Sequence, residues 1–296
     1  MSRFIVHLIN GLSLGCIYAL IAIGFVIVFK ATRVLNFAYG SVLLLGAYVV
    51  GRTHESLGFG LAVLAGIAAA TVAAMLIEFL IIRRARGADL GILAILTLGV
   101  DILMLTELTR RIGVDVLTTG APWGTTVVDL AGAKVPLSRL IAAGVAIVLV
   151  AAFTAVFKYS DAGVAMRAAA ADRETASLMG IRLGRVTLAA WAFAGALAAV
   201  AAVFLGSFPS PGIDASLGLV ALAAIPAWVL GGFDSIPGAV VGGLIIGVVS
   251  ALTTGYQDEL AFLGRGLGEV APYVVMLLVL LIRPSGLFGT REIHRV

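Results

Sequence analysis

Gly11-Leu12-Ser13-Leu14-Gly15 spells the G-x-S-x-G of a nucleophile elbow. Such an elbow lifts a serine hydroxyl on a strand-to-helix turn beside an acid and a histidine, and it serves acyl transfer. Here the five residues lie inside the apolar run Ile5–Phe29, a predicted membrane helix. Two glycines four apart on such a helix instead allow a neighbouring helix to approach closely, and this reading is preferred. Gly238 with Gly242 and Gly243 with Gly247 repeat the spacing. Other chemistries lack their residues. The three lysines, Lys30, Lys134 and Lys158, follow Phe, Ala and Phe, so there is no Gly-Lys phosphate loop and no ATP site of that kind. The three histidines, His7, His54 and His294, have no paired-ligand spacing, so no metal, haem or other cofactor is expected. Cys16 is the single cysteine and excludes a disulfide framework.

Among the acids, Asp101 stands out because it lies near the middle of the apolar run Gly91–Leu108. A carboxylate at that depth costs roughly 2.5–3.5 kcal/mol on insertion scales. It must face a cavity or a partner. Asp101 therefore either lines a pathway, makes a structural hydrogen bond to a neighbouring helix, or is neutralised. Glu107 has Arg110 and Arg111 three and four residues on, a local helical pair. Glu78 precedes Arg83 and Arg84 by about a turn, which suggests local pairing and snorkelling at a membrane boundary.

The elements that position these residues follow from composition. The 296 residues are 61% hydrophobic and 12% charged, with a mean hydropathy of +1.13. A soluble domain could not hide so much apolar surface. The expected fold is all-α, a polytopic transmembrane bundle of about 8–10 helices with broken or short members, and residues 1–296 are read as a single transmembrane domain. Nine apolar segments approach the roughly 20 residues that a span needs: Ile5–Phe29, Phe37–Val50, Gly60–Ile82, Gly91–Leu108, Leu137–Phe157, Val186–Leu205, Ser216–Leu230, Ile236–Thr253 and Val270–Ile282. The first is too long for a signal-peptide core and is read as a retained span. The 36 glycines suit close helix packing in lipid. The net charge of +4 is spread over span ends, so no nucleic-acid surface is expected.

One polar stretch interrupts this pattern. Ser160–Arg185 is charged, alanine-rich and amphipathic, and it reads as one helix capped by Asp161 and ended by Gly180 in a left-handed conformation. A soluble, rigid helix held at the membrane surface (residues 160–186) suits docking to a cytoplasmic partner. With that loop inside, nine spans leave the N-terminus outside and the C-terminus inside. The inner side then holds 13 of the 20 basic residues, Arg86, Arg291 and Arg295 among them. Arg110 and Arg111 run against the bias, and a missed or re-entrant segment near Gly91–Arg111 would resolve this and change the span count by one. Val34–Val50 and Gly232–Val249 resemble each other, each a polar or kinked step followed by a small-residue apolar run. Broken helices of this kind expose backbone polar groups to a cavity in transporters. Pro237 has no N–H and disfavours a helical Ile236, so a turn or kink is expected there.

Several stretches, in order along nearly the whole chain, resemble the LivH-type permease of bacterial high-affinity branched-chain amino acid ABC importers. They are Asn10-Gly11-Leu12-Ser13-Leu14-Gly15, Tyr18–Gly24, Asn36-Phe37-Ala38-Tyr39-Gly40, the Ser160–Arg185 loop, Leu230–Ala239 and Arg283-Pro284-Ser285-Gly286-Leu287-Phe288-Gly289. The resemblance implies a non-catalytic permease subunit of the bacterial inner membrane that forms half of a translocation channel. It also implies a second homologous permease, two cytoplasmic ATP-binding subunits and an extracytoplasmic solute-binding protein. Arg167, Ala171, Asp172, Arg173, Glu174, Gly180 and Ile181 would couple to the ATPase. Independently of the resemblance, the two breaks and the intramembrane acid place Asn36, Phe37, Gly40, Asp101, Gly231, Gly232, Pro237 and Gly238 beside the pathway, the alternative being that both breaks are ordinary loops at the inner surface. The family often has a small or hydroxyl residue where Asp101 stands, and the Val116–Pro136 loop has no match, which leaves other amino acids, short amides or urea open as substrates. An ion-coupled secondary transporter would want several paired intramembrane carboxylates, and Asp101 stands alone. A membrane enzyme would want a clustered catalytic set.

Overall fold

In lipid no water satisfies backbone N–H and C=O groups, so a chain this apolar pairs them within helices. The computed structural model describes residues 2–85, 87–124, 126–130, 133–207, 212–259 and 266–289. Arg86, Arg265, Thr290, Arg291, His294 and Arg295 lie outside these residues. In chain order the elements are α1 (Ser2–Thr32), α2 (Tyr39–Leu57), α3 (Phe59–Ile77) running into a π-helical turn (Glu78–Ile82), α4 (Leu90–Ile112), β1 (Val127–Leu130), β2 (Ala133–Pro136), α5 (Leu137–Tyr159), α6 (Asp161–Ala171), α7 (Arg173–Leu178), α8 (Leu183–Leu205), α9 (Leu217–Ala223), α10 (Ile225–Gly231), α11 (Ile236–Gly255) and α12 (Leu267–Ile282).

Among the described residues, six helices are long and apolar enough to cross a membrane: Arg3–Thr32, Phe59–Ile82, Leu90–Ile112, Leu137–Tyr159, Leu183–Leu205 and Ile236–Gly255. Three of the nine expected spans fall short of that measure. The polar end of α2, from Arg52 to Ser56, dilutes its apolar half. The segment from Leu217 to Gly231 breaks at Ala224, just ahead of Pro226. In α12, 16 residues long, Pro272 interrupts the helix interior. The loop expected over Val116–Pro136 holds an antiparallel hairpin, Val127 opposite Pro136 and Val128 opposite Val135.

Two compact units divide the chain. The first comprises residues 1–26, 123–146 and 222–296. In it α1 and α11 meet through small residues. A Cβ on Gly11 would stand 2.7 Å from Val248 Cα, one on Gly15 would stand 2.8 Å from Leu244 Cα, and one on Gly243 would stand 2.5 Å from the Ala19 nitrogen. The G-x-S-x-G run is therefore a packing face. The Ser13 hydroxyl donates to the Ile9 carbonyl of its own helix at 2.9 Å. Phe25 stacks on Trp228 at 5.0 Å between ring centroids, and the Trp228 indole N–H donates to the Phe233 carbonyl at 3.1 Å.

The second unit comprises residues 27–122 and 147–221, with its core where α2, α3 and α8 converge. Small residues again set the spacing. A Cβ on Gly46 would stand 2.8 Å from Ala199 Cβ, and one on Gly195 would stand 2.6 Å from the Ala70 carbonyl. Close approach of this kind drives helix association in lipid, where apolar burial alone gives little. Trp191 and Tyr39 fill the centre, and the Tyr39 hydroxyl donates to the Ala194 carbonyl at 3.2 Å. Glu107 pairs with Arg110 at 2.9 Å and Arg111 at 2.6 Å, as its spacing requires.

Candidate functional site

The first break follows α1. Arg33 takes a φ of 59°, a left-handed value uncommon for a residue with a side chain. The chain then runs non-helical to Ala38, and α2 begins at Tyr39 without a side-chain cap from Ala38. The missing partners come from α4. The Thr97 hydroxyl accepts from the Phe37 N–H at 3.1 Å, and its proton faces the carbonyls of Leu35 and Ala94, each at 2.9 Å. One turn on, Asp101 Oδ1 accepts from the Ser41 N–H at 3.1 Å. Ser41 is the third residue of α2, so Asp101 does from a neighbouring helix what an N-cap does locally, and a carboxylate there also meets the positive end of the helix dipole.

Asp101 thus makes the structural hydrogen bond that was one of its sequence readings. Thr97 was missed in the sequence, although a hydroxyl four residues before an acid, in the part of α4 before Thr106 that is otherwise apolar, was the available signal. Phe37 is half-buried. Asn36 is 4% exposed, and among the described residues its Oδ1 has no hydrogen-bond partner. Gly40 lies against the backbone of Gly218, where a Cβ would stand 2.6 Å from the carbonyl oxygen.

The second break lies between α10 and α11. Gly232 makes the turn with a φ of 107°. The carbonyls of Leu230 and Gly231 accept from the N–H groups of Leu287 at 2.8 Å and Phe288 at 3.1 Å. The terminal Arg283–Gly289 stretch and the Leu230–Ala239 stretch are therefore one clasp, in which the former caps α10. The Ser235 hydroxyl caps α11 by accepting from the Gly238 N–H at 3.0 Å. Pro237 sits in the first turn of α11, where its missing N–H has no helical partner to lose. The expected kink is not at Ile236, which is already helical; Gly232 to Ser235 make the turn ahead of it. Gly231 and Gly238 touch backbone to backbone, and a Cβ on either would collide with the other.

The polar loop holds two helices where one was expected. Ser160, not Asp161, caps the first, accepting from the Gly163 N–H at 3.1 Å. Asp172 is extended, with φ −151° and ψ 113°, and it caps α7. Its Oδ1 accepts from the N–H of Glu174 at 2.9 Å and of Thr175 at 3.2 Å, and its Oδ2 from the Thr175 hydroxyl at 2.5 Å. The alanine run favours helix, but an aspartate that binds the backbone ahead of it starts a new one. These bonds, the Thr175 hydroxyl first, hold the Asp172 carboxyl below the usual aspartate range. The cap is thus fully present above the unfolded-state value and is lost as pH falls through the lower folded one.

Gly180, at φ 84°, ends α7 in the expected left-handed cap: its N–H reaches Ser177 O and the Ile181 N–H reaches Ala176 O, both at 3.0 Å. Ala171, Asp172, Glu174 and Gly180 are exposed, as are Leu178 (83%) and Met179 (79%), whereas Ile181 is half-buried. Arg167 and Arg173 turn inward. Arg167 donates to the Phe157 carbonyl and lies over the Phe157 ring, and Arg173 Nη1 donates to the Ala31 carbonyl at 2.9 Å.

A cavity of about 340 Å³ opens beside Arg173, lined also by Thr32, Arg33, Glu78 and Thr187. Glu78 is fully buried and accepts from the Thr187 hydroxyl at 2.7 Å. This corrects the boundary reading of Glu78. Arg83 and Arg84 lie five and six residues on, off the face that i+3 and i+4 residues share. Arg83 instead covers the Phe79 ring, and Arg84 reaches the Leu80 carbonyl at 3.3 Å.

Residues 7–282 match the family described as branched-chain amino acid transport system / permease component. The chain is 34% identical over 309 residues to the high-affinity branched-chain amino acid transport system permease protein LivH of Escherichia coli (strain K12), covering 99% of this chain and 98% of that one. It is 30% identical to the permease protein BraD of Pseudomonas aeruginosa, again covering 99% and 98%. It is also 30% identical to a probable LivH of Methanocaldococcus jannaschii, covering 91% and 88%. Among solved structures it resembles PsaBC from Streptococcus pneumoniae in complex with Fab, with a TM-score of 0.51 and 14% identity over 93% of this chain and 91% of that one, a likeness of fold alone.

Proposed function

Because the chain belongs to the family of branched-chain amino acid transport permeases, we propose that it forms half of the translocation channel of an ATP-driven importer of branched-chain amino acids. It is a multi-pass permease component of the inner membrane. The remaining parts of the importer are proposed with it: a second homologous permease, two cytoplasmic chains that hydrolyse ATP, and an extracytoplasmic solute-binding protein. Residues 1–296 serve as one permease domain. The observation that carries the reading is full-length similarity at 34% identity to a permease so named. The exposed, doubly capped α7 supports it, with Leu178 and Met179 at its tip as an apolar contact for an ATPase groove. The pathway residues of this reading are Asn36, Phe37, Gly40 and Asp101 in one unit, and Gly231, Gly232, Pro237 and Gly238 in the other. An apolar substrate needs little from them beyond a narrow passage, so affinity resides in the solute-binding protein.

Reconstitution with those partners in proteoliposomes tests the function. ATP-dependent uptake of leucine is expected, and uptake of short amides or urea in its place would reassign the substrate. In the same assay the double variant Asp172→Arg, Glu174→Arg reverses the exposed charge of α7. Uptake is expected to fall about tenfold or more, since coupling energies of 1–3 kcal/mol correspond to such factors, while the permease still inserts. Unchanged uptake would make the loop a mere connector.

Topology is tested separately. The α6–α7 loop and the segment after Arg283 both carry excess arginine and belong on the cytoplasmic side. Single cysteines at Ser177 and Thr290, with Cys16 replaced, should resist an impermeant thiol reagent in intact cells and react once the membrane is opened. Reaction at either position in intact cells would reverse the orientation.

A further inference from the structure

Arg173 opens α7, yet it turns away from the exposed face of that helix. It is half-buried, and its Nη1 donates to the Ala31 carbonyl at 2.9 Å. Ala31 belongs to the last turn of α1, where carbonyls lack intrahelical partners and where a cation also suits the negative end of the helix dipole. Two residues on, Arg33 takes its left-handed φ of 59° and the break to Asn36 begins. The bond therefore joins α7 to the end of α1 that leads into the first break. Around it lies the cavity of about 340 Å³, with Thr32, Arg33 and Arg173 in its wall together with Glu78 and Thr187. Glu78 is a fully buried acid on a π-helical turn, a local geometry frequent at functional sites. A buried carboxylate is costly outside polar or oppositely charged surroundings. The Thr187 hydroxyl and a cavity shared with two guanidinium groups provide them.

We propose that Arg173 is a positioning residue that carries the displacement of α7 to the Arg33–Asn36 break, with Glu78 keeping the guanidinium in place through the charge of the shared cavity. This rests on the reading of α7 as the ATPase-docking helix and adds the side chain through which docking reaches the first break. Without it, displacement would pass along the backbone, from α7 through Gly180–Arg182 into α8, and would need no side chain.

The test uses the full complex with both permeases, the ATPase chains and the solute-binding protein, in proteoliposomes with leucine as probe. Three quantities are read: co-purification of the ATPase chains, leucine transported per ATP hydrolysed, and the ATP-dependent change in thiol labelling of a cysteine at Phe37 in a background lacking Cys16. For Arg173→Ala, co-purification persists. The leucine-to-ATP ratio falls about tenfold, within the 5–150-fold range of ordinary coupling energies, and labelling at position 37 no longer responds to ATP. Arg173→Lys, which can still donate to Ala31, recovers part of both signals. Glu78→Gln, which keeps an acceptor for Thr187 but loses the charge, lowers the ratio in the same direction. An unchanged ratio and an intact labelling response in Arg173→Ala would overturn the proposal. Should that variant fail to insert, Arg173→Gln, a shorter neutral donor, is judged by the same two signals. A wild-type complex that neither assembles with the ATPase chains nor moves leucine would sink the importer reading instead, and so is told apart.

Discussion

Replacing Asp101 with valine is expected to leave a permease that reaches the membrane but transports roughly tenfold to hundredfold less. The substitution removes the acceptor of the Ser41 N–H at the start of α2, where Ala38 offers no cap of its own. Stranding such a donor costs about 1–3 kcal/mol, and each 1.4 kcal/mol is about a factor of ten in an equilibrium. Thr97→Val, which removes the partner of Phe37 and Leu35, should act in the same direction. Because both residues hold the segment from Leu35 to Ser41, the double variant should lose less than the sum of the two singles. Asp101→Asn separates this account from an ion-coupled one. Asparagine keeps an acceptor oxygen, so most transport should survive if Asp101 caps α2 from α4. Abolished transport in Asp101→Asn, with valine at 101 no worse, would show that the carboxylate charge itself does the work.

The second large effect is expected at Gly231. Even alanine there would drive its Cβ into the Gly238 backbone, and valine adds two methyl groups. Overpacking usually costs about 1–3 kcal/mol where side chains can shift. Here the obstacle is backbone, so α10 and α11 must separate, and the bonds from Leu287 and Phe288 to the end of α10 go with them. Gly231→Val should sharply lower the amount of folded permease in the membrane and the melting temperature of what remains in detergent. Gly144→Ala serves as the control, since a Cβ at Gly144 meets nothing within 4 Å. Equal stability of Gly231→Ala and Gly144→Ala would show that the contact between α10 and α11 is slack.

Composition and local pattern were enough for much of this protein. Hydropathy determined that it is a helical membrane protein, because lipid leaves an apolar backbone no other way to pair its N–H and C=O groups. The spacing of Gly11 and Gly15 identified a packing face, and Gly180 the end of a helix, since both depend only on neighbouring residues and on what glycine permits. The ordered motifs pointed to the family and hence to the transporter class. Local rules were weaker where two signals competed. The alanine run read as one helix, yet Asp172 binds the backbone two and three residues ahead and divides it.

Only the tertiary structure decided what the polar residues within the apolar runs do. Asp101 and Thr97 serve a backbone some 60 residues earlier in the chain. Glu78 meets Thr187 across 109 residues, Arg173 meets Ala31 across 142, and the Arg283–Gly289 stretch closes on the end of α10. The reason is physical. A broken helix in a membrane must find partners for its freed N–H and C=O groups, and any nearby helix can supply them. Which helix does so is set by how close the small residues let the helices come, and no stretch of neighbouring residues encodes that distance.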